Sequence, residues 1–394
     1  MTAVSQETRP RRTSIFNDPR VRSIAAQIIF VVLLTWAGYE LVSNTAANLS
    51  RLNKNINFGF LSTTAGFDII QSLIPYSRAD TYGRAILVGL LNTLLVAAVG
   101  IVLATVLGFI VGVMRLSPNW VLRKIATVYI EVVRNIPLLL QIFFWYATVL
   151  KPLPGPRQSI NLLDAVFISN RGVIAPRPIW GEGSEFFGFA ILAGIAVAIA
   201  LNVWARKRQE RTGEQFPRLG ASLALIIGLP LLTLVLTGFP VSFEYPELKG
   251  FNFVGGVTVL PEFIALLLAL SIYTATFIAE IVRAGILAVS HGQTEAAHAL
   301  GLRPQATLRL VVIPQALRVI IPPLTSQYLN LTKNSSLAVA IAYPDLVAMG
   351  GVVLNQSGHA IEVFVIWMIV YLGLSLTTAA IMNWYNARVR LVER

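Results

Sequence analysis

Residues 295–314 read EAAHALGLRPQATLRLVVIP, a polar, helix-forming stretch that lies between two long hydrophobic runs. Just before it, Ser290 and Gln293 have the S-x-x-Q spacing of a capping box, which predicts the start of a short helix. Glu295 is then expected in the first turn, where the helix dipole favours a carboxylate. A membrane chain that places a rigid polar helix between two spans is expected to bind something with it.

The rest of this segment predicts a sharp corner in the chain. Ala296 and Ala297 are small helix formers that let a partner approach closely. Gly301 lies where the helix should end, because glycine adopts the left-handed cap conformation without steric cost. Pro304 suits the first position of a second helix, and Pro314 is expected to interrupt that helix. The local prediction is a helix, a glycine corner and a second helix.

The composition places the whole chain in a lipid bilayer. Hydrophobic residues make up 55% of the 394 and charged residues 13%, against about 25% charged in an average soluble domain. There is no cysteine, which excludes disulfides and thiolate metal sites. The net charge of +12 indicates membrane topology and not nucleic-acid binding, because basic loops orient membrane proteins.

Eight runs are long and apolar enough to cross a bilayer, whose hydrocarbon core needs about 20 helical residues. Open strands are excluded within lipid, because each unpaired backbone group there costs several kcal/mol. The predicted fold is therefore an all-α integral membrane protein with about eight transmembrane helices. The predicted spans are Ile24–Val42, Ile86–Met114, Ile125–Val149, Phe186–Ala205, Leu219–Phe239, Phe263–Val282, Leu317–Tyr343 and Ile361–Tyr385.

The distribution of Lys and Arg predicts that both termini are cytoplasmic. Twenty lie on the proposed inner side and eight in the proposed outer loops. The Asn-rich residues 44–57 and the Pro-rich residues 151–178 are outer loops by composition. The first hydrophobic run is interpreted as a retained anchor, because no convincing signal cleavage site follows it.

The opening segment also matches a known spacing of residues. The pattern resembles the EAA signature of the permease subunits of ATP-binding-cassette (ABC) importers. In that family, the first short helix is a coupling helix that docks into a groove on a separate cytosolic ATPase. The alternative is an amphipathic interfacial helix with no partner. The matching positions are Glu295, Ala296, Ala297, Gly301, Val311, where the signature usually has isoleucine, Ile313 and Pro314.

Other segments extend the resemblance to five spans. Residues 83–94, 129–141, 278–286 and 331–337 look like the recurrent segments of the polar-amino-acid subfamily, in the same order. The chain departs from that five-helix core in having an extra first span and an inserted pair of spans. The longer layout resembles the permeases of general L-amino-acid uptake systems. The resulting segments are a basic cytoplasmic tail (1–23), an extra span with a periplasmic loop (24–82), two core spans (83–150), an insert (151–260), three core spans (261–388) that include the coupling loop (290–314), and a cytoplasmic tail (389–394).

The resemblance implies a set of partners and a role. The chain would be the transport subunit of an importer in the bacterial inner membrane, without a cofactor and without enzymatic activity of its own. A dimer of cytosolic ATPases would drive it, a homologous second permease would complete the pore as a heterodimer, and a periplasmic binding protein would deliver amino acids. The sequence contains no G-x-x-x-x-G-K-[ST] phosphate loop, so the chain itself is not expected to hold a nucleotide.

Polar side chains inside predicted spans are candidate pathway residues, because a charge at a helix centre costs about 2.5–3.5 kcal/mol even on permissive scales. Glu131 with Arg134, and Glu280 with Arg283, are three residues apart and share a helix face. We expect each pair to be neutralised locally or to bridge helices, in preference to binding substrate. Lys333 either faces the carboxylate of an amino acid or pairs with a structural acid. Other pathway candidates, which equally suit interhelical hydrogen bonding, are Asn92, Thr93, Gln141, Gln327, Asn330, Asn334 and Ser335.

Three other classes of protein remain as alternatives. A gradient-driven secondary transporter would use buried carboxylates as ion sites and need no ATPase. A membrane-embedded metalloenzyme is disfavoured, because there is no H-E-x-x-H and the three histidines fit no metal-site spacing. A scaffold without a pathway would tolerate Glu295→Lys with no change in substrate flux.

Overall fold

The computed structural model describes residues 19–51, 56–214, 216–239 and 241–389. Within them, seven helices are long and apolar enough to cross a membrane, and a bent pair of helices brings the number to eight if the pair crosses as one span. The predicted helical membrane protein is confirmed. Most of the two predicted terminal tails (1–23 and 389–394) lies outside the described residues.

The described residues form twelve α-helices, joined by short 3₁₀ and π segments. The first helix belongs to one compact unit, residues 1–60, and the bundle belongs to a second, residues 61–394. The helices are α1 (Pro19–Arg51), α2 (Tyr82–Arg115), α3 (Trp120–Asn135), α4 (Leu138–Phe143), α5 (Glu185–Thr212), α6 (Arg218–Leu236), α7 (Pro261–Leu287), α8 (His291–Ala299), α9 (Pro304–Thr307), α10 (Ile313–Asn334), α11 (Leu346–Ser357) and α12 (Ala360–Val389).

The centre of the bundle is the close pairing of α2 with α7, which glycines permit. A Cβ on Gly108 would lie 2.5 Å from Cγ2 of Ile278, and one on Gly112 would lie 2.8 Å from the carbonyl oxygen of Ala279. Small residues at an interface allow helix backbones to approach closely in a membrane, where packing replaces the hydrophobic effect. The two glycines therefore allow α2 and α7 to pack closely in the core of the bundle.

Gly108→Leu should destabilise the bundle, because its side chain would overlap Ile278 in a packed interface. Overpacking of this kind costs about 1–3 kcal/mol. The thermal midpoint of the purified chain in mild detergent should fall by several degrees. The matched control is Gly373→Leu in α12, where a Cβ would meet no atom within 4 Å. Equal midpoints for the two variants would contradict this packing.

The predicted third span, Ile125–Val149, is two helical pieces and not one. Trp120–Asn135 and Leu138–Leu150 meet at 104°. Pro137 lies at the junction as the residue before α4, and it has no N–H to continue α3. Gln141 stabilises the bend, since its Nε2 donates to the carbonyls of Val133 and Ile136 at 2.9 Å each. The side-chain amide of Gln141 is thus used to bind the backbone at the bend.

The expectation that Pro314 interrupts its helix is wrong. The helix runs on from Pro304 to Ile341 as one span of 38 residues. Residues Leu308–Val312 form a π turn immediately before α10, which starts one residue before Pro314. A local π adjustment accommodates the missing proline N–H without breaking the helix. The coupling segment is therefore joined directly to the seventh span.

The inserted segment contains strands that the sequence did not predict. The Pro-rich residues 151–178 were interpreted as loop, yet antiparallel pairing links them to residues 241–259. The strands form one sheet in the order β1-β2-β3-β8 and the pairs β4-β5 and β6-β7. They are β1 (Ile160–Leu162), β2 (Val166–Ser169), β3 (Gly172–Ala175), β4 (Arg177–Trp180), β5 (Val241–Glu244), β6 (Glu247–Lys249), β7 (Asn252–Val254) and β8 (Val257–Val259).

Between these strands, α5 and α6 pack as an antiparallel hairpin. A Cβ on Gly194 would lie 2.9 Å from the carbonyl of Leu225, so the two backbones are close. Nδ2 of Asn202 donates to Oγ of Ser222 at 2.9 Å. Because β4 leads into α5 and β5 follows α6, the strands and the hairpin form one continuous unit.

Candidate functional site

The first predicted element of the coupling segment is present as α8, His291–Ala299, but its start differs from the prediction. Ser290 precedes the helix with extended backbone angles, and its side chain makes no capping hydrogen bond. Oε1 of Gln293 instead accepts from Nε2 of Gln315 at 3.4 Å, so the capping box is wrong. Glu295 is the fifth helical residue, one place beyond the first turn, and pairs with Nδ1 of His291 at 2.9 Å.

The predicted glycine corner is confirmed. Gly301 has a φ of +75°, which is the left-handed region. The N–H of Leu302 donates to the carbonyl of Ala297 at 3.1 Å, and that of Gly301 donates to His298 at 2.9 Å. These two bonds make a Schellman cap, which satisfies carbonyls at the end of α8. Pro304 opens α9 as predicted.

Most of the surface of α8 is exposed and is not covered by other parts of this chain. Ala297 is its one buried residue, whereas Ala296 and Glu295 are exposed and Leu300 beside the corner is 82% exposed. A helix of nine residues is too short to be stable on its own, since isolated helices below about 12–15 residues are marginal in water. The exposed face of α8 is therefore suited to a partner protein.

Gly301→Val should impair this corner, because a β-branched residue is strained at a φ of +75°. The left-handed conformation costs roughly 1–2 kcal/mol for a residue with a Cβ. Protease cleavage in the segment 290–304 should become faster. Gly292→Val is the control, because Gly292 lies inside α8 without positive φ. Equal cleavage of the two variants would argue against a rigid corner.

One acid and arginine pair joins two helices. Oε2 of Glu280 accepts from Nε of Arg283 at 3.2 Å, as its spacing predicts. Oε1 of Glu280 also pairs with the guanidinium of Arg115, which lies at the end of α2. The sequence did not identify Arg115, because it is far from Glu280 along the chain. The carboxylate thus bridges two arginines and closes the α2–α7 interface at that end.

The other pair is arranged differently. In the described residues Glu131 and Arg134 form no ion pair with each other, and both are exposed. The guanidinium of Arg134 lies 4.6 Å from the ring centroid of Phe277, a cation–π contact. On α3, Ala126 and Ile130 are buried, and the exposed surface has an apolar side, which includes Val128, and a polar side. A helix-period count would have found this exposed polar face, which includes Lys124, Glu131, Arg134 and Asn135.

Asn92 and Thr93 are fully buried and bind backbone groups. Nδ2 of Asn92 donates to the carbonyls of Gln71 at 2.9 Å and Pro344 at 2.8 Å. Oγ1 of Thr93 accepts from the N–H of Leu346 at 3.0 Å. These bonds hold the turn before α11 against α2. Of the two roles considered for these side chains, the geometry is that of interhelical hydrogen bonding.

The polar candidates of α10 divide between the inside and the outside of the bundle. Ser335 is buried and its Oγ donates to the carbonyl of Thr332 at 2.7 Å, while Gln327 and Asn334 are partly buried. Asn330 and Lys333 are exposed on one helix face. Within the described residues, no carboxylate forms an ion pair with Lys333.

This exposure has a physical consequence. Lys333 lies inside the apolar helical span Pro304–Ile341. A charge facing lipid there is costly, and such groups face a bundle interior or a water-filled cavity. Ser326, which is also exposed, lies on the same face as Asn330 and Lys333. This polar face of α10 (Ser326, Asn330 and Lys333) is therefore suited to an aqueous pathway or another chain.

Comparison with known proteins gives consistent results along the chain. A family model described as the binding-protein-dependent transport system inner membrane component matches residues 215–391. A general L-amino acid transport system permease protein of Rhizobium johnstonii is 56% identical, over 97% of this chain and 95% of the relative. A putative amino-acid ABC transporter permease protein of Escherichia coli is 53% identical, over 96% and 97%.

A third relative and two solved structures complete the comparison. The glutamate/glutamine/aspartate/asparagine transport system permease protein of Rhodobacter capsulatus is 45% identical, over 98% of this chain and 97% of the relative. A crystal structure of an amino acid ABC transporter with histidines covers 78% of this chain and 95% of its own, with 20% identity and a TM-score of 0.46. An inward-facing methionine ABC transporter covers 78% and 98%, with 14% identity and a TM-score of 0.42.

Proposed function

The chain belongs to the inner-membrane components of binding-protein-dependent transport systems, among the amino-acid ABC permeases, and from this premise we propose how it imports polar and general L-amino acids. It is a multi-pass bacterial inner-membrane protein and a transport subunit, not an enzyme. With no phosphate loop in its sequence, it takes its energy from ATPase subunits. Its role is alternating access of the bundle to the two sides of the membrane.

The free surface of α8 supports the coupling role. Glu295, Ala296 and Leu300 are exposed, and the Schellman cap at Gly301 fixes the direction of the chain. Because the helix then runs from Pro304 to Ile341, a displacement of α8 by an ATPase dimer is transmitted along the seventh span. The π turn at Leu308–Val312 is the place where this motion can be absorbed.

The observation that supports a substrate pathway in this chain is the polar face of α10. Ser326, Asn330 and Lys333 are exposed within the apolar span Pro304–Ile341, where polar groups that face lipid are costly. We assign this face to an aqueous pathway closed on its far side by a second, homologous permease. The ammonium of Lys333 is suited to the carboxylate of an amino acid. Glu131 and Arg134, on the exposed polar face of α3, are further candidates for lining that pathway.

The orientation follows from the order of the spans. We propose that the bent pair α3–α4 crosses as one span, which gives eight spans and puts both termini on the same side as α8. The excess of Lys and Arg on that side supports a cytoplasmic location. The insert 151–260 then projects its strands on the periplasmic side, where a binding protein delivers the substrate.

A transport assay separates this mechanism from a gradient-driven one. The chain is co-expressed with the proposed ATPase and second permease, purified in mild detergent and reconstituted into vesicles with the binding protein. Uptake of labelled L-amino acids should require ATP and should persist when ionophores collapse the ion gradients. Uptake without ATP that is lost with the gradient would establish a secondary transporter instead. An ATPase and a second permease should co-purify with the chain.

A further inference from the structure

The periplasmic insert carries a crevice that the transport mechanism above does not use. The hairpin of α5 and α6 crosses the membrane twice, so residues 151–180 and 241–259 lie on one side, and α8 lies on the other. The crevice has a volume of about 220 Å³ and lies where the turn between β2 and β3 meets the turn between β6 and β7. Its lining residues are Gly155, Pro156, Arg157, Gln158, Arg171 and Phe251.

Two segments that are distant in sequence fix the first arginine of this crevice. Nε of Arg157 donates to the carbonyl of Gly250 at 3.1 Å. Its guanidinium lies 3.9 Å from the ring centroid of Phe251. Stacking and a single hydrogen bond from Nε orient the guanidinium while leaving its two terminal nitrogens for another acceptor. Arg171 approaches from the β2–β3 turn, where its backbone N–H donates to Oγ of Ser169 at 3.2 Å.

The other cations around these strands already have carboxylate partners. Arg177 pairs with Glu244 at 3.4 Å, Lys249 with Glu247 at 3.4 Å, and Lys151 with Glu262 at 4.0 Å. In the part of the chain that the structure describes, neither Arg157 nor Arg171 forms an ion pair. The crevice is therefore a place where two arginines lie without a carboxylate partner, unlike the other cations of these strands.

The chemistry of the lining selects among anions. Two guanidinium groups match the planar geometry of carboxylates. A free amino acid also carries an α-ammonium group, and none of the six lining residues is an acid that would accept it. A carboxylate side chain on a protein has no such neighbouring cation. Because the strands are extramembrane, the protein that reaches this surface is one that approaches from the periplasm.

We propose that Arg157 and Arg171 form a docking site for acidic side chains of the periplasmic binding protein that delivers the amino acid. This assignment rests on the proposed function, because it needs such a protein. Charges at the rim of an interface mainly steer association and set register. The insert would thus orient the binding protein over the bundle.

The test uses the complete transporter in lipid nanodiscs, with its ATPase, second permease and substrate-loaded binding protein. The ATPase rate is titrated with the binding protein. The double variant Arg157→Gln, Arg171→Gln should raise the concentration for half-maximal stimulation about fivefold or more, with basal ATPase unchanged. Its half-maximal concentration should also depend less on salt than that of the wild type. The matched control Arg177→Gln removes one charge from the same insert, from an arginine that is already paired, and should leave the half-maximal concentration unchanged.

Two further measurements guard against a folding defect and separate the hypotheses. Arg171→Gln alone should give part of the shift, and its side chain makes no hydrogen bond or ion pair within the described residues. The chain has no cysteine, so the cysteine of a Gln158→Cys variant can be labelled alone with a photo-crosslinker at the crevice. On illumination, this label should crosslink to the substrate-loaded binding protein. Stimulation that is identical in wild type and double variant would overturn the docking site and leave the proposed function standing. A wild-type transporter that no binding protein stimulates would overturn both.

Discussion

Glu295→Lys should strongly reduce amino-acid uptake by weakening the binding of the ATPase. The carboxylate lies on the exposed surface of α8, with 69% of its side chain exposed and one oxygen paired with His291. In the proposed coupling role, the reversal replaces an acid with a cation at the interface, and an unfavourable charge pair across an interface costs several kcal/mol. Since each 1.4 kcal/mol is about tenfold in affinity, the ATPase should no longer co-purify, and ATP-driven uptake should fall by about tenfold or more.

The control for this variant is a charge reversal on the same side of the membrane. Glu210 is exposed in the last turns of α5, away from the coupling segment in sequence. Glu210→Lys should retain the ATPase and transport at the wild-type rate. Glu295→Gln, which keeps the shape and removes the charge, should give an intermediate loss. Wild-type flux in Glu295→Lys would support the scaffold alternative and contradict the coupling role of α8.

Lys333→Met should reduce uptake by about tenfold or more while the assembled transporter stays intact. Lys333 is exposed within the span Pro304–Ile341, and its ammonium has no carboxylate partner in the described part of this chain. Removing one member of a buried charge pair costs about 2–5 kcal/mol, much of it from the charge left unpaired. If that charge is the carboxylate of the amino acid, the loss should appear in transport and not in assembly.

Two readouts distinguish a substrate contact from a structural ion pair for Lys333. Lys333→Arg keeps the positive charge and should restore a large part of the uptake, whereas methionine should not. Co-purification of the second permease and the ATPase should be equal for both variants. If Lys333→Met instead loses the second permease, the ammonium pairs with an acid across that interface. Transport at the wild-type rate would remove Lys333 from the pathway altogether.

Local chemistry made several features predictable from the sequence. The corner at Gly301 and the helix start at Pro304 depend on backbone preferences of single residues, and both are found. The pair Glu280 and Arg283 depends on helix spacing alone. The helix α11 was missed although it has recognisable ends, with Asp345 as its N-cap and Gly358 at its C-terminus. Its twelve residues are too few to cross a bilayer, so this helix is not among the predicted spans.

Features that depend on distant residues were not predictable. Arg115 reaches Glu280 from another helix, and Asn92 binds the carbonyl of Pro344 across 252 positions. The strands are short, and some contain or adjoin proline, so each resembles a loop when taken alone. The pairing of β3 with β8 becomes visible only when the chain is folded, because more than 80 residues separate their paired positions.

That pairing also makes the insert a removable module. Ala175 stands directly opposite Val257, so the chain leaves and re-enters the sheet at neighbouring positions. A tight hairpin turn could join these positions in place of everything between them. The excised part contains α5 and α6, an even number of crossings, so every later helix would keep its direction in the membrane. Such a segment can be gained or lost in evolution without turning the coupling helix to the wrong side of the cell membrane.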